Sequence, residues 1–142
     1  MNWKIAFGCM ALLVLLLAGC TTPVVDQNTF NNPTPVKISI LSKPSLAVTE
    51  ETFSISWKVE GGSAGNITHT SVDWDSVSHA MDSNDYAFTS NIFQGSTPDS
   101  FVVSLQAPRA VGTIFARAHA VVDGANYYSD EFEIDLIMNA GV

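Results

Sequence analysis

Thiols are scarce in this chain. Its two cysteines, Cys9 and Cys20, both fall within the first twenty residues, so nothing beyond residue 20 offers a thiolate nucleophile, a Cys-built metal site or a disulfide. Basic residues are few as well, 6 Lys and Arg against 14 Asp and Glu, with a formal net charge of −8. That balance argues against nucleic acid and against charge-driven adhesion to anionic lipid. No apolar run is long enough to span a bilayer: the best, Ile5 to Ala18, supplies roughly two thirds of the ~20 residues needed.

What that run does have is an ordered context. Lys4 precedes it, and Leu17-Ala18-Gly19-Cys20 closes it. A positive start, an apolar stretch and small residues before a cleavage point are the parts of a secretory signal. The closing tetrapeptide resembles the lipobox of prokaryotic lipoproteins. The resemblance implies cleavage between Gly19 and Cys20, with a diacylglyceryl group on the Cys20 thiol and the new N-terminus acylated. Two acyl chains hold a protein stably where one holds it marginally. Residues 1–19 are thus expected to leave as a signal peptide, taking Cys9 and Lys4 and lowering the formal charge from −8 to −9. Thr21 after the lipidated residue is compatible with outer-membrane delivery in a Gram-negative cell, or with the cell surface in another prokaryote.

Residues 20–36 are rich in Thr, Asn and Pro and have no apolar period, which reads as a lipidated start and a flexible tether. Fully extended, that stretch reaches on the order of 50 Å at ~3.3 Å per residue. From Lys37 the period becomes 2. Ile38, Ile40, Leu46 and Val48 lie on either side of Ser42-Lys43-Pro44, predicting a first strand kinked by proline. Phe53 to Val59 is apolar at every odd position, the clearest half-buried strand. Ile67 to Trp74 alternates less cleanly, with Thr70, Val72 and Trp74 on one face. Phe101, Val103, Leu105 and Ala107 form the next inward set, Ile114 to Val122 runs to a turn at Asp123-Gly124, and Phe132, Ile134 and Leu136 alternate with Glu131, Glu133 and Asp135. Three like charges in a row suit a protected edge strand. No helical period competes after residue 37. The expected fold is all-β, an antiparallel β-sandwich of about seven strands over residues 37–138.

Phe53-Ser54-Ile55-Ser56-Trp57-Lys58-Val59 resembles the second strand of a fibronectin type III or other immunoglobulin-like domain, with its buried Trp. Gly112 to Gly124, followed by Tyr127-Tyr128-Ser129-Asp130-Glu131, resembles its last hairpin. Ile114 stands where the fibronectin pattern has a tyrosine, and the paired cysteines of antibody domains are absent.

Four constellations bear on chemistry. His69, His79 and His119 are far apart in sequence, and alternation points His69 and His119 outward. His79-Ala80-Met81 has the imidazole and thioether that suit copper(I), without a second such pair. Asp73, Asp75, Asp82 and Asp85 crowd one segment, which reads as a solvated acidic loop and as the place where calcium would bind if any did. Trp74, Tyr86, Tyr127 and Tyr128 are the aromatic candidates for a carbohydrate platform. Asn66-Ile67-Thr68 is a glycosylation sequon. None of these amounts to a catalytic set, and no cofactor is implied. The sequence therefore reads as a lipid-anchored, non-catalytic interaction or structural module of the cell envelope. It would be attached to a membrane through Cys20 and face a protein or envelope-polymer partner. The rival is a calcium- or carbohydrate-binding module using the loop from Asp73 to Asp85.

Overall fold

Alternating apolar residues with β-branched and aromatic side chains favour pleated strands that bury one face, and the chain follows that pattern throughout. A computed structural model describes residues 34–62, 64–80 and 85–138. Gly19, Cys20 and most of the tether lie outside the described residues, as do Met81 and Asp82. Ten strands occur among the described residues: β1 (Lys37–Ser42), β2 (Leu46–Val48), β3 (Thr52–Glu60), β4 (Asn66–Asp75), β5 (Phe88–Thr89), β6 (Phe93–Ser96), β7 (Asp99–Gln106), β8 (Gly112–Val122), β9 (Ala125–Tyr128) and β10 (Phe132–Ile137). They form a three-stranded sheet, β1-β3-β7, and a larger one, β2-β10-β8-β4-β5, with β6 also on β4 and β9 also on β8.

Ten strands make about seven passes of the chain, because three passes are broken. At Lys43-Pro44 the first pass does more than kink: β1 pairs with β3 in one sheet, and β2 pairs in parallel with β10 in the other. The last pass is split at Ser129-Asp130, so that β9 covers His119 to Val122 of β8 and β10 covers Gly112 to Ala116. Buried Ser129 fills the gap between them. Its hydroxyl accepts the Ala118 N–H at 3.0 Å and donates to Asp130 O at 2.8 Å. The third break separates β5 from β6.

Expectation and structure part at two strands. β4 carries a bulge between Ile67 and His69 against β8. A bulge resets which face a residue takes, so Ile67, Thr70 and Val72 all point inward and the alternation lapses. β10, expected to be an edge, is interior, because β2 pairs along its outer side. Its acidic row cannot guard an edge that is already occupied. Glu133 and Asp135 are simply exposed there.

Trp57 is the centre of the core. It is fully buried, stacks on Phe101 at 5.6 Å, meets Phe93 edge-on at 5.9 Å, and donates its indole N–H across the sandwich to Thr70 Oγ1 at 2.9 Å. A buried indole needs a partner for that N–H, and Thr70, passing its own proton to His119 O at 2.7 Å, supplies it. On β8 the inward residues Ala116, Ala118 and Ala120 are small and fully buried, which leaves volume for large side chains on the facing sheet.

The chain enters the sandwich at one end only. Thr34 O accepts the Gly62 N–H at 2.6 Å, and Gly61, at φ +88°, has its Cα so near Pro35 O that a Cβ would sit 2.1 Å from that oxygen. Residues 34–36 are therefore seated against the β3–β4 turn. Lys37 opposes Glu60, whereas Gly112, Asp75 and Leu136 lie at the other end. With β8 eleven residues long, the two ends are ~35 Å apart.

Candidate functional site

The end remote from Thr34 carries an apolar cleft of about 580 Å³. β4 and β5 bring Trp74 opposite Phe88, their rings stacked at 4.3 Å with 18° between planes. The β7–β8 connection adds Pro108 and Val111, β8 adds Ile114 and β10 adds Leu136. Phe88 is 51% exposed and Val111 55%. Both side chains remain largely in water beside the cleft, an arrangement more typical of a contact surface than of a monomer's inert exterior. Polar groups are sparse in the lining, chiefly Ser76 and Thr113.

A second feature is the outer face of the larger sheet, where Ser71, Asp73 and Arg117 are buried despite facing outward. Residues on either side of the undescribed stretch 81–84 fold down on this face. Arg117 donates to Ala80 O at 2.8 Å and lies over the rings of Tyr86 and Tyr128, 5.8 and 6.0 Å from their centroids. Glu131 gathers three donors: Ser78 Oγ at 2.5 Å, Tyr86 OH at 2.5 Å and His79 N at 3.0 Å. Burial pushes the Glu131 carboxyl upward. The bonds from His79, Ser78 and Tyr86, with the Arg117 charge, outweigh it and hold the group below its ordinary value. Burial and the bond to Glu131 push the Tyr86 hydroxyl up.

Asp73 and Asp75 of the acidic segment are thus part of β4. Asp75 accepts from His79 Nε2 at 3.1 Å, Ser76 N at 2.6 Å and Ala87 N at 3.2 Å. Those bonds, His79 foremost, hold it below the ordinary carboxylate range. Asp73 is a β4 residue that accepts from Ser71 Oγ at 3.1 Å and lies 3.7 Å from His119 Nδ1. His79 Nε2 bonds Asp75, and Met81, its partner in the His79-Ala80-Met81 motif, lies outside the described residues. Among the described residues, no group of three or more His, Cys, Asp or Glu side chains is placed to hold a metal ion.

His69 and His119 do point outward, as alternation requires, but the β4–β8 register brings their rings within 5.2 Å. Sequence distance concealed that pairing, since only the bulged register sets His69 beside Val121 and within reach of His119. Burial, then the neighbouring His119, lowers the pKa of His69. Ser71 stands 3.2 Å from His69 Nε2, yet it is fully buried and gives its proton to Asp73. A nucleophile needs its base to take the proton and needs access to substrate, and Ser71 has neither. Of the aromatic candidates, Trp74 lines the cleft, Tyr86 and Tyr128 pack on Arg117, and Tyr127 packs against the core. Phe88 was missed because it occupies a two-residue strand with no alternation to mark it.

No protein-family model matches this chain, and neither does any curated protein sequence. Solved structures do match. The CARDB domain of a Pyrococcus furiosus protein, solved in complex with di-metal ions, aligns with a TM-score of 0.52 at 13% identity, covering 75% of this chain and 90% of that one. The PKD domain of an M14-like peptidase from a Thermoplasmatales archaeon gives 0.49 at 20% identity over 73% of this chain and 94% of that one. A β-glucosidase from Listeria innocua gives 0.49 at 10% identity, and there the match spans only 16% of the enzyme. The fold is an immunoglobulin-like β-sandwich, the class the Phe53–Val59 strand and the β8–β9 hairpin resemble. Likeness at this identity speaks of fold and not of activity.

Proposed function

We propose that this protein is a lipid-anchored envelope lipoprotein whose immunoglobulin-like domain is a non-catalytic interaction module. The observation that carries the reading is polarity. The tether joins at Thr34, and the exposed apolar cleft lies at the opposite end, ~35 Å further out. A lipid on Cys20 and a tether reaching up to ~50 Å would then hold Trp74, Phe88 and Val111 away from the membrane and toward a partner. The net charge, −8 for the whole sequence and −9 once Lys4 has left with residues 1–19, keeps the domain off anionic head groups, so attachment falls to the lipid. The partner is a protein rather than a sugar polymer: a lining of Trp74, Phe88, Pro108, Val111, Ile114 and Leu136 suits an apolar side chain, whereas saccharide hydroxyls need more donors and acceptors than Ser76 and Thr113 supply.

The test is site-specific photocrosslinking in the native cells. A photoreactive side chain at Phe88 or Val111 should give a discrete protein adduct, and one at exposed Ala64, by the tether, should not. Equal adducts at both ends, or none at the cleft, contradict the reading. The calcium alternative used the loop from Asp73 to Asp85, of which Asp73 and Asp75 accept hydrogen bonds within the domain and Asp82 lies outside the described residues.

A further inference from the structure

The sheets are bounded by β1 and β7 in the smaller, and in the larger by β2 together with four-residue β9 on one side and by β5 and β6 on the other. An open edge offers unpaired N–H and C=O groups to any strand that approaches, and proteins blunt such edges with shortness, bulges, prolines or charge. Three edges here are blunted. β1 has a bulge between Ile40 and Ser42 and runs into Lys43-Pro44. β2 is three residues long and follows that proline. The β5–β6 side is broken into pieces of two and four residues, with a register shift between Ile67 and Thr70.

β7, although flanked by Pro98 and Pro108, has no break or bulge of its own. It is eight residues long, keeps an unbroken register with β3 from Asp99 to Gln106, and holds its single charge, Asp99, at its first position. The direction of its free backbone groups follows from one bonded pair. Ala107 N donates to Glu51 O at 2.8 Å, and bonded and non-bonded pairs alternate along an antiparallel ladder. Phe101, Val103 and Leu105 therefore bond to β3, while Ser100, Val102, Ser104 and Gln106 aim their backbone groups at the open side. All four are exposed, Val102 by 60%. Among the described residues, no strand pairs with β7 on that side.

We propose that a second copy of this chain adds to β7, antiparallel and edge to edge, joining the two small sheets into one of six strands about a two-fold axis. A two-fold interface must be complementary to itself, and this strand is. With Val103 on the axis, Ser100 faces Gln106 and Val102 faces Ser104, so every outward group finds a partner, ~8 backbone bonds in all. Phe101 faces Leu105 on the buried side and extends the core. No two charges oppose each other, although the chain carries −8 overall. Asp99 falls opposite Ala107, two residues from Arg109 of the other copy, whose side chain is 89% exposed. Acid thus approaches base at both ends of the pair. The dimer follows from the β7 edge alone and stands apart from the lipid and the cleft.

Sedimentation of the full chain in detergent, over a range of concentrations, tests it. The unsubstituted protein should reach a dimer, and the double variant Val102→Lys with Ser104→Lys should raise the dimer dissociation constant at least tenfold. The double variant should lose little in melting temperature, since both side chains are exposed and the only bond given up is the exposed hydroxyl pair Ser54–Ser104 at 3.2 Å. A second variant, Val102→Cys with Ser104→Cys, should form a disulfide between chains that the unsubstituted protein does not. A protein that stays monomeric, a dimer indifferent to the two lysines, or a disulfide confined to one chain each overturns the proposal.

Discussion

Replacing Glu131 with Gln keeps its size and removes its charge, which isolates what the carboxylate does for the sheet face. Three donors converge on it, from Ser78, His79 and Tyr86. Hydrogen bonds to an ionised acceptor are about twice as strong as neutral ones, so each loses roughly 0.5–1 kcal/mol net. Because the site is partly open to solvent, the sum comes to about 1–2 kcal/mol, or ~5–10 °C in melting temperature for a domain of this size. The sign with pH follows from the depressed pKa. The stabilisation is complete above the unfolded carboxylate value near pH 4.5, and it is lost as pH falls through the lower folded value. Thermal melts of both proteins at pH 7 and pH 3 should therefore differ at the first and converge toward the second. A gap of equal size at both pH values would mean that packing, not charge, was lost. No gap at pH 7 would refute the argument outright.

Trp57→Phe removes the indole bond to Thr70 and part of the stacked volume, and should lower stability by about 2–3 kcal/mol in urea unfolding. Ser129→Ala strands the buried Ala118 N–H and should cost about 1–2 kcal/mol, with faster amide exchange at Ala118. Gly61→Ala forces a Cβ onto Pro35 O at a positive φ and should unseat residues 34–36, visible as new protease cutting ahead of Lys37. His69 should titrate by NMR below the ordinary histidine value of 6.5. Because folding favours its neutral form, its contribution is present above about pH 6.5 and declines as pH falls toward the folded value.

Much of the fold was legible because burial in a sandwich leaves a period of two. Ile55, Trp57 and Val59 announce β3, and Ala116, Ala118, Ala120 and Val122 announce β8. What periodicity cannot carry is pairing. The sheet switch at Pro44, the parallel seat of β2 on β10 and the split at Ser129 depend on contacts distant in sequence, and they turned an expected edge into an interior strand. The outer-face network was hidden for the same reason. Glu131 reads as one of three solvated acids until Ser78, His79 and Tyr86 fold over it. Only the Trp74 side of the cleft had a sequence signal, while Phe88 joins it through two residues of pairing.

Attachment of the chain through Cys20 is tested most directly by one labelling experiment. Cells expressing the full chain and fed a clickable fatty acid should yield a labelled protein that starts at residue 20 and stays with membranes. Cys20→Ser should lose both the label and the membrane association. Label that survives Cys20→Ser, or an unlabelled protein that remains on membranes, would contradict attachment through a single lipid-bearing cysteine.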